Sequence, residues 1–204
     1  MASSHGRSKN YLTFDFRSLH TLNVMEKRIF LKTYGSQLWG RAKARQVRFA
    51  LNQTLENLNP GDTLVVDHDS VEAFDITFAT ELLAKLTALV VTEHAGRFIV
   101  VENLNECTRE NLNVALERLG LAMIVREGEQ LALIGRVNAS DSETFAECIA
   151  VGGVVSATLM STRLGITLTA MNERLTKLTA MGVVRRERGS SASGRTQYEY
   201  RLLN

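Results

Sequence analysis

The apolar positions change period repeatedly along the chain. Residues 11–17 alternate apolar and polar, the period-two signature of a strand. Residues 27–34, rich in Ile, Phe, Leu and Tyr, predict a second strand closed by Gly35-Ser36. From 42 to 58 apolar side chains fall at 44, 47, 50, 51, 55 and 58, one face of a helix. Asn59-Pro60-Gly61-Asp62 is a turn signal, and 63–66 is a short buried strand. A helix over 78–89, a turn near 94–96, a strand over 97–101 and a helix over 108–119 closed by Gly120 follow. Runs at 122–125 and 130–134 around residues 126–129 predict a hairpin. The order β-β-α-β-α-β-α-β-β predicts an α/β domain whose mixed sheet has parallel pairs and crossover helices. Roughly 130 residues suffice for its core.

The pattern changes after the polar stretch 137–143, where the domain boundary is expected, with Ser140 or Ser142 as a helix cap. Helical segments are predicted at 145–151, ended by Gly152-Gly153, at 156–164 with Ser156 as cap, and at 167–181. In the last of these Leu168, Met171, Leu175, Leu178 and Met181 have core spacing, and Gly182 ends it. Two β-like runs, 183–188 and 196–203, flank a Gly/Ser-rich tip at 189–194. A hairpin with a long polar loop is expected.

The residues from Met160 to Leu175, those from Leu178 to Arg188, Gly194-Arg195 and residues 198–202 together resemble winged helix-turn-helix domains of the MarR-like transcription-regulator type. The resemblance covers about 60 residues, although 156–164 lacks the usual Ala-x-x-Leu-Ala phrase. It implies a small α+β domain that binds double-stranded DNA. Groove geometry gives the chemistry: a helix fits the major groove, with its N-terminal residues at the base edges. Here those residues are Thr167, Thr169, Asn172 and Glu173, and Asn172 has the amide for bidentate pairing with adenine. Arg174 and Lys177 are expected at phosphates. Arg185, Arg186, Arg188 and Arg195 place charge along the wing. Charge distribution agrees: residues 1–140 carry 16 Lys+Arg and 16 Asp+Glu, and residues 141–204 carry 8 and 6, so the formal net charge of +2 lies in the C-terminal part.

In the N-terminal part, the stretch from Leu64 to Leu83 looks like the STAS-like family of unknown function, related to anti-sigma-factor antagonist domains. The phrase Ile76-Thr-Phe-Ala-Thr-Glu-Leu82 stands where that family begins a helix. Two departures stand out: Ser70 replaces the usual glycine, and Ile76 occupies the place of the phosphorylated serine in true antagonists. Thr77 keeps a hydroxyl at the expected helix start, where it is read as a cap. The resemblance implies partner binding or self-association.

An enzyme reading competes. Val65-Val-Asp67-His-Asp69 matches a strand-end Asp-x-Asp phrase used by some magnesium-dependent phosphatases, with Glu72 and Asp75 nearby. The downstream lysine and acidic motifs of such enzymes are not placed, and a loop whose Asp side chains cap turns is the plainer reading. Arg41, Arg45 and Arg48 share a helix face, either a second phosphate-contacting stripe or a solvated one. Trp39 is expected to anchor the start of that helix. The histidines form no ligand set, and Cys107 and Cys148 lack metal-ligand spacing.

The sequence thus predicts a disordered tail (1–10), a STAS-like α/β domain (11–137) and a winged helix-turn-helix (141–204). The expected protein is a cytoplasmic, homodimeric transcription regulator. Its expected partners are duplex DNA and possible protein partners of the N-terminal domain, with no catalytic residue, metal or cofactor. The opening residues have no secretory pattern, and no apolar run nears the ~20 residues needed to span a bilayer. A protein-interaction adaptor without DNA binding is the alternative.

Overall fold

The computed structural model describes residues 24–190 and 196–203. The tail expected at 1–10 and the strand expected at 11–17 lie outside them. Five strands form the main sheet: β1 (Glu26–Phe30), β3 (Thr63–Asp67), β5 (Phe98–Glu102), β6 (Ala122–Glu127) and β7 (Gln130–Gly135), in the order β1-β3-β5-β6-β7. The first four are parallel and β7 returns antiparallel from β6. The sheet is mixed and the unit α/β, as the alternating pattern predicts. A two-residue parallel pair, β2 (Gln37–Leu38) with β4 (Ala73–Phe74), is an addition too short for periodicity to reveal.

Every crossover steps in the same direction along the sheet. Because such connections are right-handed, they put their helices on one face. These are α1 (Arg41–Glu56), the continuous helical stretch α2 (Ile76–Ala79), π segment (Thr80–Ala84) and α3 (Lys85–Thr92), and α4 (Glu106–Leu119). Leu51, Leu55, Phe78, Leu82, Leu86, Leu112 and Leu116 meet Leu64, Val66, Ile99, Val101, Met123 and Val125 there.

The opposite face carries the alternate strand positions Val65, Phe98, Val100 and Ile124, and no crossover helix reaches it. The C-terminal residues do. They form α5 (Ala139–Val151), β8 (Val154–Ser156), α6 (Ala157–Leu164), α7 (Leu168–Ala180) and a hairpin of β9 (Arg185–Ser190) and β10 (Thr196–Arg201). The three strands pair antiparallel in the order β8-β10-β9. Phe145, Cys148, Met160, Met171, Leu175, Leu178, Val183, Val184 and Tyr200 join the four sheet residues in one core. β3 and β5 are therefore buried on both faces, which explains their uninterrupted apolar runs.

Several helix starts differ from expectation. Asn138, not Ser140 or Ser142, caps α5: its side chain accepts from the Asp141 N–H, and Asp141 accepts from the Asn138 N–H in return. The helix accordingly begins six residues before the predicted 145. Asp75, not Thr77, caps α2, its Oδ1 accepting from the Phe78 N–H at 2.5 Å. Trp39 is half exposed beside α1 rather than an anchor. Ser156 caps α6 and Thr167 caps α7.

Candidate nucleic-acid interface

α6 ends at Gly165, whose φ of 64° is left-handed, and the chain reverses there into α7. Thr167 opens α7 by accepting from the Ala170 N–H through its hydroxyl oxygen, 3.3 Å away. Met171, Leu175 and Leu178 face the core. Thr169, Asn172, Glu173 and Thr176 are exposed, so the first two turns present a polar face to solvent. Leu168 departs from its expected core role: it is 49% exposed. It is the first residue of the helix, one turn before the buried Met171. Leu159 of α6 is also exposed.

The basic residues divide. Arg174 donates to Glu143 Oε2 at 2.8 Å and to the Thr144 hydroxyl at 3.3 Å, both on α5. Lys177 pairs with the buried Asp141. Both cations brace α7 against α5. Arg185 pairs with Glu187 at 2.8 Å and lies across Gly61 and Gly96 of the N-terminal unit. A Cβ on Gly61 would sit 3.1 Å from its guanidinium, and both glycines have positive φ. Arg186 and Arg188 are exposed on β9, and the Arg186 guanidinium stacks 4.6 Å from the Tyr198 ring centroid. Arg195 lies outside the described residues. Tyr200, on β10 opposite Arg186, is buried, and burial raises its phenol above the ordinary range.

The acidic set of the enzyme reading disperses. Asp67 is buried at the end of β3. Its Oδ1 accepts from the Asp69 N–H at 2.9 Å and from Asn103 at 2.8 Å, and its Oδ2 accepts from Arg28 at 2.8 Å. Burial pushes this carboxyl up, but the hydrogen bonds from Asn103, the Asp69 backbone and Arg28 outweigh it and hold it below the ordinary range. Asp69 accepts from the Ser70 hydroxyl, Glu72 from Gln37, and Asp75 is a helix cap. Among the described residues no three His, Cys, Asp or Glu side chains converge as a metal site. His68 is fully buried, with Nδ1 within 3.0 Å of the Val66 carbonyl oxygen and 3.2 Å of that of Glu102.

No family model matches the chain. No curated protein sequence matches it either. Among solved structures, a possible transcriptional regulator from Methanosarcina mazei Go1 is similar over 33% of this chain and 57% of its own, at 13% identity and a TM-score of 0.31. No helix among the described residues is long and apolar enough to cross a membrane.

Proposed function

We propose that residues 139–203 are a winged helix-turn-helix that binds duplex DNA, and that the protein is a transcription regulator. The carrying observation is the division of α7: its apolar side is locked into a core, while Thr169, Asn172 and Glu173 stand free on its first turns. Support comes from the order helix, strand, helix, tight turn, helix, hairpin, and from Arg186 and Arg188 exposed on β9. In this reading Asn172 contacts a base edge, Thr167 and Thr169 contact bases or phosphates, and Leu168 has the apolar surface to meet a thymine methyl. Glu173 has the acceptor for a cytosine amine. Arg186, Arg188 and Arg195 contact backbone phosphates or the minor groove. Arg174, Lys177 and Arg185 orient α7 and the hairpin. The STAS-like N-terminal unit mediates partner binding or self-association, and a homodimer would present two α7 helices to two half-sites.

A protein-interaction adaptor is the second reading. The pairing of Arg174, Lys177 and Arg185 favours it, because among the described residues of this unit little unpaired positive charge remains, and so do the exposed Leu159 and Leu168. Selection of bound fragments from a random duplex library with the full chain separates the two. Enrichment of a motif supports the regulator, and an unselected pool after several rounds supports the adaptor.

A further inference from the structure

Glu81 is buried in the π segment of the second helical stretch, where it faces α1. Four cations surround it. Lys85 Nζ lies 2.7 Å from its carboxylate, Arg45 and Arg48 lie 3.2 Å away, and Arg41 lies 3.8 Å away. Burial pushes the Glu81 carboxyl up. Hydrogen bonds from Lys85 and Arg45 and the charge of Arg48 outweigh this, and it stays ionised below the ordinary range. One carboxylate cannot neutralise four cations, so the cluster keeps an excess of three positive charges. Arg41, Arg45 and Lys85 project well into solvent.

Helix electrostatics oppose this arrangement. The N-terminal end of a helix carries partial positive charge and favours Asp, Glu or a capping oxygen. α1 begins without a side-chain cap and has no acid in its first turn, yet it places Arg41, Lys43, Arg45 and Arg48 in its first eight positions. Glu81 alone does not require that density. A local rule broken this far marks a surface kept for something other than stability.

Three of these cations, Arg45, Arg48 and Lys85, line a groove between α1 and α3 of about 490 Å³, together with Phe49, Asn52, Ala88 and Leu89. Phe49 is 66% exposed at its edge. The lining is largely carbon, and the basic side chains stand around it. A phosphodiester strand has phosphates for the cations and bases for Phe49, but nothing aliphatic for Ala88 and Leu89. A peptide with carboxylates beside a Leu, Ile or Phe satisfies both parts. We infer that this groove binds an acidic, amphipathic segment of a partner protein, with the partner's apolar side chain on Phe49 and Leu89 and its carboxylates on Arg45, Arg48 and Lys85. This deepens the partner-binding reading of the N-terminal unit and does not depend on DNA binding by α7.

The test is a displayed library of random 16-residue peptides selected on the full chain and counter-screened on the triple variant Arg45→Gln, Arg48→Gln, Glu81→Gln. Removing Glu81 together with two of its cations avoids stranding a buried charge, and circular dichroism with thermal unfolding confirms a native fold. A second variant, Phe49→Ser with Leu89→Ser, probes the apolar part. The expected winners carry at least two Asp or Glu flanking an apolar residue, and their affinity falls tenfold or more in each variant. Winners that bind both variants as well as wild type would place partner binding on another surface and overturn the groove while sparing the partner-binding reading. Winners without acids, no winners at all, or a single-stranded oligonucleotide that binds the groove more tightly than any peptide would each overturn the proposal.

Discussion

Lys177 and Asp141 join α7 to α5: Nζ lies 2.5 Å from Oδ2, and the carboxylate is 1% exposed while the lysine is half exposed. Asp141 also closes the reciprocal cap of α5. One side chain thus fixes the start of one helix and the middle of another. Lys177→Ala leaves a buried carboxylate without its cation, which is more costly than losing a surface pair. Chemical denaturation should show a loss of about 1–3 kcal/mol. Duplex affinity, compared at temperatures where both proteins are folded, should keep its salt slope. A flattened slope with unchanged stability would return Lys177 to the phosphates.

The shared core predicts cooperative unfolding. Phe98 lies on the sheet face that the C-terminal unit covers. Phe98→Ala should cost about 3–5 kcal/mol, and the unfolding curve should remain a single transition. Two separated transitions, only one of them shifted, would mean that the two units fold independently.

His68 links stability to pH. Burial lowers its pKa from 6.5 to about 4, against the raising effect of the Val66 and Glu102 carbonyls and the Asp67 charge. The folded protein therefore keeps the ring neutral where the unfolded chain protonates it. The stabilisation is present above pH 6.5 and is lost as the pH falls towards 4, amounting to about 3 kcal/mol over that window. Urea denaturation at several pH values measures the slope. In His68→Leu the slope between pH 6.5 and 4 should fall by up to about 1.4 kcal/mol per pH unit relative to wild type, and parallel curves would refute the assignment.

The parts of the fold that depend on local period were legible. Ala44, Val47, Leu51 and Leu55 mark the buried side of α1, and the alternation of strands and helices implied a mixed sheet. The α5 cap was also written in the sequence, as Asn138-x-x-Asp141, but nearby serines offered an equal signal. What local pattern could not supply was the identity of partners distant in sequence. Arg174 and Lys177 have the spacing of a phosphate-facing pair. Only the packing of α7 on α5 turns them towards Glu143 and Asp141, more than 30 positions earlier. Arg45 and Glu81 are separated in the same way. Glu81 interrupts an apolar run in a helix flanked on both sides, so its burial follows from neither period nor hydropathy.

Base reading and backbone binding separate at Asn172. If its amide meets an adenine edge, Asn172→Ala should cost about 1–3 kcal/mol on the selected duplex and leave random duplex unaffected. Equal losses on both would confine Asn172 to backbone contact.

The proposal that the C-terminal unit binds duplex DNA is tested most directly by the salt dependence of that binding. Fluorescence anisotropy of a labelled duplex is followed with wild type and with Arg186→Ala, Arg188→Ala across a range of salt concentrations. Two exposed arginines per chain predict a modest slope of log affinity against log salt, steeper by about 0.9 for each further contact such as Arg195. The double variant should bind more weakly on every sequence, with its slope flattened by about 1.8 per chain bound. No duplex binding at low salt, or binding whose strength and slope are unchanged in the double variant, would contradict the account.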